Sequence, residues 1–144
     1  MYLWDTNILR YFVEAHPTLR LHLERIPWGE IALPSVVVAE ALRGRCDFAL
    51  KATPSQAPDA HRLLQETRRL IDRFQVVLFD EACADVMRNL QQRHKTHKRY
   101  ADLMIAATAI AGNHIVVTRN QQHFITLLPR KQLMNWIDHE PLSL

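Results

Sequence analysis

Three acids stand where an acid is out of place. Asp5 follows the apolar run Tyr2–Trp4, Glu40 lies inside SVVVAEAL, and Asp102 is the one charge in residues 101–111, ADLMIAATAIA. A buried, unpaired carboxylate is costly, so each of these needs a cation, strong donors or a proton. Each also has a purely structural reading. Asp5 opens Asp-Thr-Asn, a good helix N-cap; Asp102 would suit the dipole of a first helical turn; Glu40 would pair with Arg43 or Arg10. Brought together, the three carboxylates would repel one another and hold protons unless a cation intervened. Mg²⁺ or Mn²⁺ fits that need, because hard divalent ions take oxygen ligands and keep several waters. Zinc does not fit, since His94-x-x-His97 has no second half. With only three glycines, phosphate-cradling loops of the GxGxxG or Walker type are excluded. No Ser, Cys or His is set up with a base and an orienting third group, which leaves water as the nucleophile.

The elements that would position these acids alternate between strand and helix. Tyr2–Trp4 reads as a buried strand, 7–15 as a helix with Ile8, Tyr11 and Phe12 on one face, and Pro17 as the start of a second helix. Ile31–Leu33 is a brief strand closed by Pro34. Ser35 would cap the next helix, which Gly44 interrupts or ends. Residues 51–60 read as a loop, and a stripe of Leu63, Leu64, Leu70, Ile71 and Phe74 follows. Val76–Phe79 is strand-like, and Asp80 caps a helix through Val86, Met87 and Leu90. Residues 101–111 form a buried helix, His114–Thr118 a fourth strand, and Leu133–Ile137 a fifth. This alternation predicts a three-layer α/β/α sandwich around a mainly parallel sheet. In such sheets ligands bind beyond the carboxyl ends of the strands, where Asp5 and Thr118–Asn120 fall.

At 144 residues and 16.8 kDa the chain makes one domain, 1–144. Folding would bury roughly two thirds of its extended surface, enough for a core without staples. No apolar run approaches the roughly 18 residues of a membrane helix, and MYLWDTN carries no secretory leader. Two cysteines form no framework, and the expected compartment is the cytoplasm. Eighteen Lys and Arg against fifteen Asp and Glu give +3, which permits an anionic partner without demanding one. The run RNLQQRHKTHKR, 88–99, is basic and free of acids, and it leads directly into Asp102.

Four segments in order, LWDTNIL (3–9), LPSVVVAEALRG (33–44), YADLMIAATAIA (100–111) and IVVTRNQQHF (115–124), resemble the PIN-domain endoribonucleases, in particular the VapC-like toxin branch. The resemblance covers essentially the whole chain and implies an α/β/α sandwich with a five-stranded parallel sheet. It implies that Asp5, Glu40 and Asp102 are metal-binding and catalytic, with Asn120 in the position of a further polar ligand. It departs from the fully acidic pattern, because no Asp or Glu lies between Thr118 and Phe124. Asn120 and His123 hold the polar positions there, a deficit that favours one firmly held ion over two. Thr6, Asn7 and Thr118 would orient the ligands.

The implied reaction is metal-assisted hydrolysis of RNA phosphodiester bonds. Lys95, Lys98, Arg99, Arg119 and Arg43 would hold RNA phosphates. Tyr100 would stack on a base or join the core, and His123 is a candidate proton shuttle. A small antitoxin would fill the active-site groove. A homodimer would use surplus apolar surface at Leu42, Phe48, Leu63 and Leu64. Two other readings remain. One is a nucleic-acid-binding module of the same fold that has lost cleavage. The other is a receiver-like domain phosphorylated on Asp5, against which stands the lack of an acidic pair after the first strand.

Overall fold

The structure, a computed structural model, describes residues 1–143. Strands that are apolar on both faces must be covered on both faces, and here the three central strands obey that rule. They are β1 (Tyr2–Trp4), β2 (Ile31–Pro34) and β4 (Ile115–Val117), while β3 (Gln75–Val77) and β5 (Leu133–Met134) form more open edges. All pairings are parallel, in the order β3-β2-β1-β4-β5.

Helices α1 (Thr6–Val13) and α2 (Pro17–Leu23) lead from β1 to β2, and α3 (Ser35–Lys51) and α4 (Ala57–Ile71) from β2 to β3. Helices α5 (Glu81–Arg93) and α6 (Tyr100–Gly112) then carry the chain back across the sheet to β4, which pairs with β1. The winding therefore reverses between β1 and β4, the place where open α/β sheets leave a crevice. Trp4 is in register with Val117, so the next residues, Asp5 and Thr118, leave the sheet side by side.

Helix α6 lies deep. Ile105, Ala106, Ala107 and Ala109 are buried, and the small alanine side chains suit the close packing of α6 among its neighbours, α5 above all. It ends at Asn113, whose φ of 53° is the left-handed conformation that closes a helix. On α1, Ile8 and Leu9 face the sheet, and Phe12 joins an aromatic cluster around Trp4. The rings of Phe12 and Phe74 lie 5.6 and 5.3 Å from that of Trp4. Among the described residues no helix is long and apolar enough to cross a membrane.

The sheet is all parallel and five-stranded, as the sequence leads one to expect, but several boundaries differ. Ser35 is the first residue of α3 instead of its cap; its hydroxyl accepts the Phe79 N–H at 3.0 Å, tying α3 to the exit of β3. Gly44 does not break α3, which runs on to Lys51: one glycine costs a helix only about 1 kcal/mol, and the packing of α3 against α4 outweighs it. The loop expected over 51–60 shrinks to 52–56, since Pro58 sits in the first turn of α4, where a missing N–H is harmless. The third strand ends at Val77. The fifth stops at Met134 because the Asn135 side chain accepts the N–H groups of Ile137 and Asp138 and turns the chain. Trp4→Ala is expected to cost about 3–5 kcal/mol, read as a lower denaturant midpoint in urea.

Candidate active site

Asp5 is the N-cap of α1: one carboxylate oxygen accepts the Ile8 N–H at 3.2 Å, which satisfies a free donor of the first turn. The capping reading of Asp5 is thus met. Its other oxygen accepts the hydroxyl of Thr118, which in turn accepts the Asn120 N–H at 3.0 Å. Asp5 is only 7 % exposed. Burial pushes its carboxyl above the usual range, the Thr118, Ile8 and Asn7 donors pull it back, and the charge of Asp102 pushes it up again.

Asp102 occupies the first turn of α6 at the same rim, with its side chain 18 % exposed. One oxygen, Oδ2, is buried with no hydrogen-bond partner; the His123 Nδ1 stands 3.5 Å away. Burial raises this carboxyl too, His123, Arg99 and His97 lower it, and the negative charge of Glu40 raises it. Glu40 comes from the second turn of α3, half-buried, and accepts the Thr6 hydroxyl at 2.8 Å. Asp5, Glu40 and Asp102, from three separate segments, therefore share one electrostatic neighbourhood at the β1/β4 crevice.

The donor set is chemically right for a hard divalent ion, and the unpartnered Asp102 oxygen is the sort of atom such an ion would satisfy. Among the described residues, no three His, Cys, Asp or Glu side chains are grouped closely enough to cage an ion by themselves. An ion bound there would take one or two of these carboxylates, with water and substrate phosphates completing its shell.

The other expected residues are more scattered. Thr6 and Thr118 hold carboxylates directly, and Asn7 is exposed at the start of α1 beside Asp5. Asn120 enters the site through its backbone N–H. Lys95, Lys98 and Arg99 are exposed on the segment leading into α6, and Arg43 is exposed on α3. Tyr100 is 63 % exposed, so the core role is ruled out for it. Arg119 differs from expectation. Its guanidinium is held by both oxygens of Asp138 at 3.0 and 3.1 Å and donates to the Tyr11 hydroxyl at 2.8 Å, which makes it a strut between α1 and the C-terminal loop. Sequence reasoning missed the approach of His97 to Asp102; the His-containing run just before the acid was the signal available.

Raised carboxyl pKa values mean that ionisation of Asp102 opposes folding at neutral pH, and that this opposition fades as pH falls through the raised value. Asp102→Asn should therefore raise the melting temperature of metal-free protein at pH 7 by roughly 2–4 °C. The gain should shrink as the pH approaches the ordinary carboxyl range; differential scanning calorimetry at pH 7 and 4.5 measures both.

Comparison with known proteins agrees with this layout. No curated protein matches the sequence. Among solved structures, the chain is similar to one in the crystal structure of FitAcB from Neisseria gonorrhoeae, at 27 % identity over 96 % of this chain and 100 % of that one, with a TM-score of 0.71. It is also similar to a chain of VapBC2 from Rickettsia felis bound to a DNA fragment from their promoter, at 26 % identity over 94 % and 98 %, TM-score 0.67. A toxin–antitoxin complex from Klebsiella pneumoniae shares the fold at 23 % identity over 98 % of this chain and 100 % of that one, TM-score 0.68. The PIN domain profile matches residues 2–126, and PIN domains are generally nucleases that use divalent metal ions. With that match spanning most of its length and the sheet, crevice and acids arranged as described, this chain belongs to the PIN-domain family, in its VapC-like branch.

Proposed function

We propose that the protein is a Mg²⁺- or Mn²⁺-dependent endoribonuclease and the toxin of a toxin–antitoxin pair in the cytoplasm. The observation that supports this reading is Asp102, whose charge is felt by Asp5 and which itself feels the charge of Glu40, and whose buried Oδ2 is left unpartnered. One or two of these acids would bind the ion directly, and the charge of all three would favour it in the crevice. When bound, the ion supplies neutralisation of phosphate oxygens and a more acidic water.

The chain's own residues do the positioning. Thr118 and the Ile8 N–H fix Asp5 from two directions, and Thr6 fixes Glu40. Asn120 offers a neutral amide at the rim in place of a further charge. Lys95, Lys98, Arg99 and Arg43 face solvent, free to meet a polyanion, and Tyr100 presents an exposed ring for stacking on an unpaired base. Water would be the nucleophile: the two hydroxyls of the site, Thr6 and Thr118, are engaged in orienting Glu40 and Asp5.

A groove of about 700 Å³ opens beside Glu40 between α1, α3 and α4. Leu9, Val13, Leu63 and Leu70 give it an apolar floor, and Arg10 and Glu66 give it charged walls. The mixture suits a protein segment, and we assign it to the antitoxin. That relatives of this fold were crystallised as toxin–antitoxin complexes supports an antitoxin partner for this chain. Of the four residues expected to serve a homodimer, Phe48 is exposed, with Leu50 exposed near it on α3, whereas Leu42, Leu63 and Leu64 are half-buried.

Purified protein should cut single-stranded RNA with Mg²⁺ or Mn²⁺ and stop when EDTA is added. Asp5→Asn should slow cleavage about a hundredfold or more while circular dichroism stays unchanged. RNA that binds in Mn²⁺ but is never cut would replace this reading with the binding-module one. Lys98→Ala with Arg99→Ala should weaken RNA binding and reduce the slope of log K against log salt by about 1.4, read by fluorescence anisotropy.

A further inference from the structure

We propose that His123 is itself a ligand of the divalent ion, so that the centre includes an imidazole nitrogen and prefers Mn²⁺ to Mg²⁺. This rests on the metal-dependent reading above and adds a donor of a different chemical kind. Nδ1 of His123 faces Oδ2 of Asp102 across 3.5 Å, and that oxygen is buried without a hydrogen-bond partner. A charge-assisted N–H···O bond closes to about 2.7–2.9 Å, so the pair is not drawn together as a tight ion pair. Neighbouring ligand atoms on an octahedral ion with bonds of about 2.1 Å lie about 3.0 Å apart, a spacing this pair reaches with a small closure.

The imidazole is also held from its backbone. His123 ends a single 3₁₀ turn, Gln121–His123, and Phe124 beside it is buried to 1 % exposure. Its carbonyl faces Nε2 of His97 at 3.4 Å, and the turn begins at Asn120, whose N–H is bound by Thr118. The side chain retains 23 % exposure, open to the crevice and to water. Such support of a ligand-bearing segment keeps the ring's position defined.

Specificity follows from the donor type. Asp5, Glu40 and Asp102 offer oxygen alone, which Mg²⁺ and Mn²⁺ both accept. Mg²⁺ demands oxygen ligands, whereas first-row transition ions accept imidazole alongside carboxylate. One nitrogen in the shell therefore tilts the balance toward Mn²⁺.

The test loads the full chain with Mn²⁺ and records electron spin-echo envelope modulation. Coupling to ¹⁴N is expected in the wild type and in His97→Ala, and its loss in His123→Ala. By competition calorimetry, His123→Asp, which restores an oxygen donor, should lose about tenfold or more of the Mn²⁺-over-Mg²⁺ preference. If His123→Ala does not fold, His123→Asp gives the same spectroscopic readout. Bound Mn²⁺ without nitrogen coupling, or coupling that survives both His123 variants, overturns the assignment of His123 and leaves the carboxylate centre standing. Failure to bind Mn²⁺ at all overturns both.

Discussion

Crowding of like charge in a poorly solvated crevice is the constraint around which this molecule is arranged. Asp5 is fixed by the sheet itself: the register of β1 against β4 sets its carboxylate beside the Thr118 hydroxyl. Asp102 is fixed by a helix that can lie deep only because it is apolar all round. In such a setting the repulsion between the two is screened far less than it would be in water. Ile8, Thr118, His123 and Arg99 offset part of it, and the remainder is what a divalent ion would relieve.

The opposing charges are segregated along the chain. The acids come from the starts of α1, α3 and α6, whereas the basic residues Lys95, Lys98 and Arg99 crowd the short link between α5 and α6. That link is tethered to the site through the 3.4 Å approach of His97 to the His123 carbonyl. On the proposed reading, a polyanion held by the link would lie near the rim of the crevice, so the cationic surface would position it and the acidic interior would react. Arg119 stands apart from this division, because Asp138 and Tyr11 hold it as part of the framework.

Much of this was legible in the sequence, for identifiable reasons. The opening strand, the apolar helix 101–111 and the HIVVT strand are each short, uniform and bounded by polar residues, so periodicity finds them. Asp80 as a cap was readable because capping is local, and its side chain does accept the Cys83 N–H. Ser35 misled for the complementary reason: its hydroxyl serves Phe79, forty-four positions away, and nothing local announces that. The fifth strand was overdrawn because the turn made by Asn135 competes with strand extension. In the site, residue type flagged the acids and the basic run, but the pairing of Arg119 with Asp138 and the approach of His123 to Asp102 depend on tertiary geometry alone.

The central position of β1 also sets a timetable. Its pairing with β4 joins Tyr2 to Ile115, and the Asp5 carboxylate receives its hydroxyl partner from Thr118. On a ribosome β1 is made well before its second neighbour, β4, with helices α1 to α6 and strands β2 and β3 between them. A growing polypeptide therefore has no finished crevice until β4 has emerged. Contacts so distant along the chain also form late in folding, because loop closure must precede them. Any activity housed there stays latent until that stretch has been translated and folded.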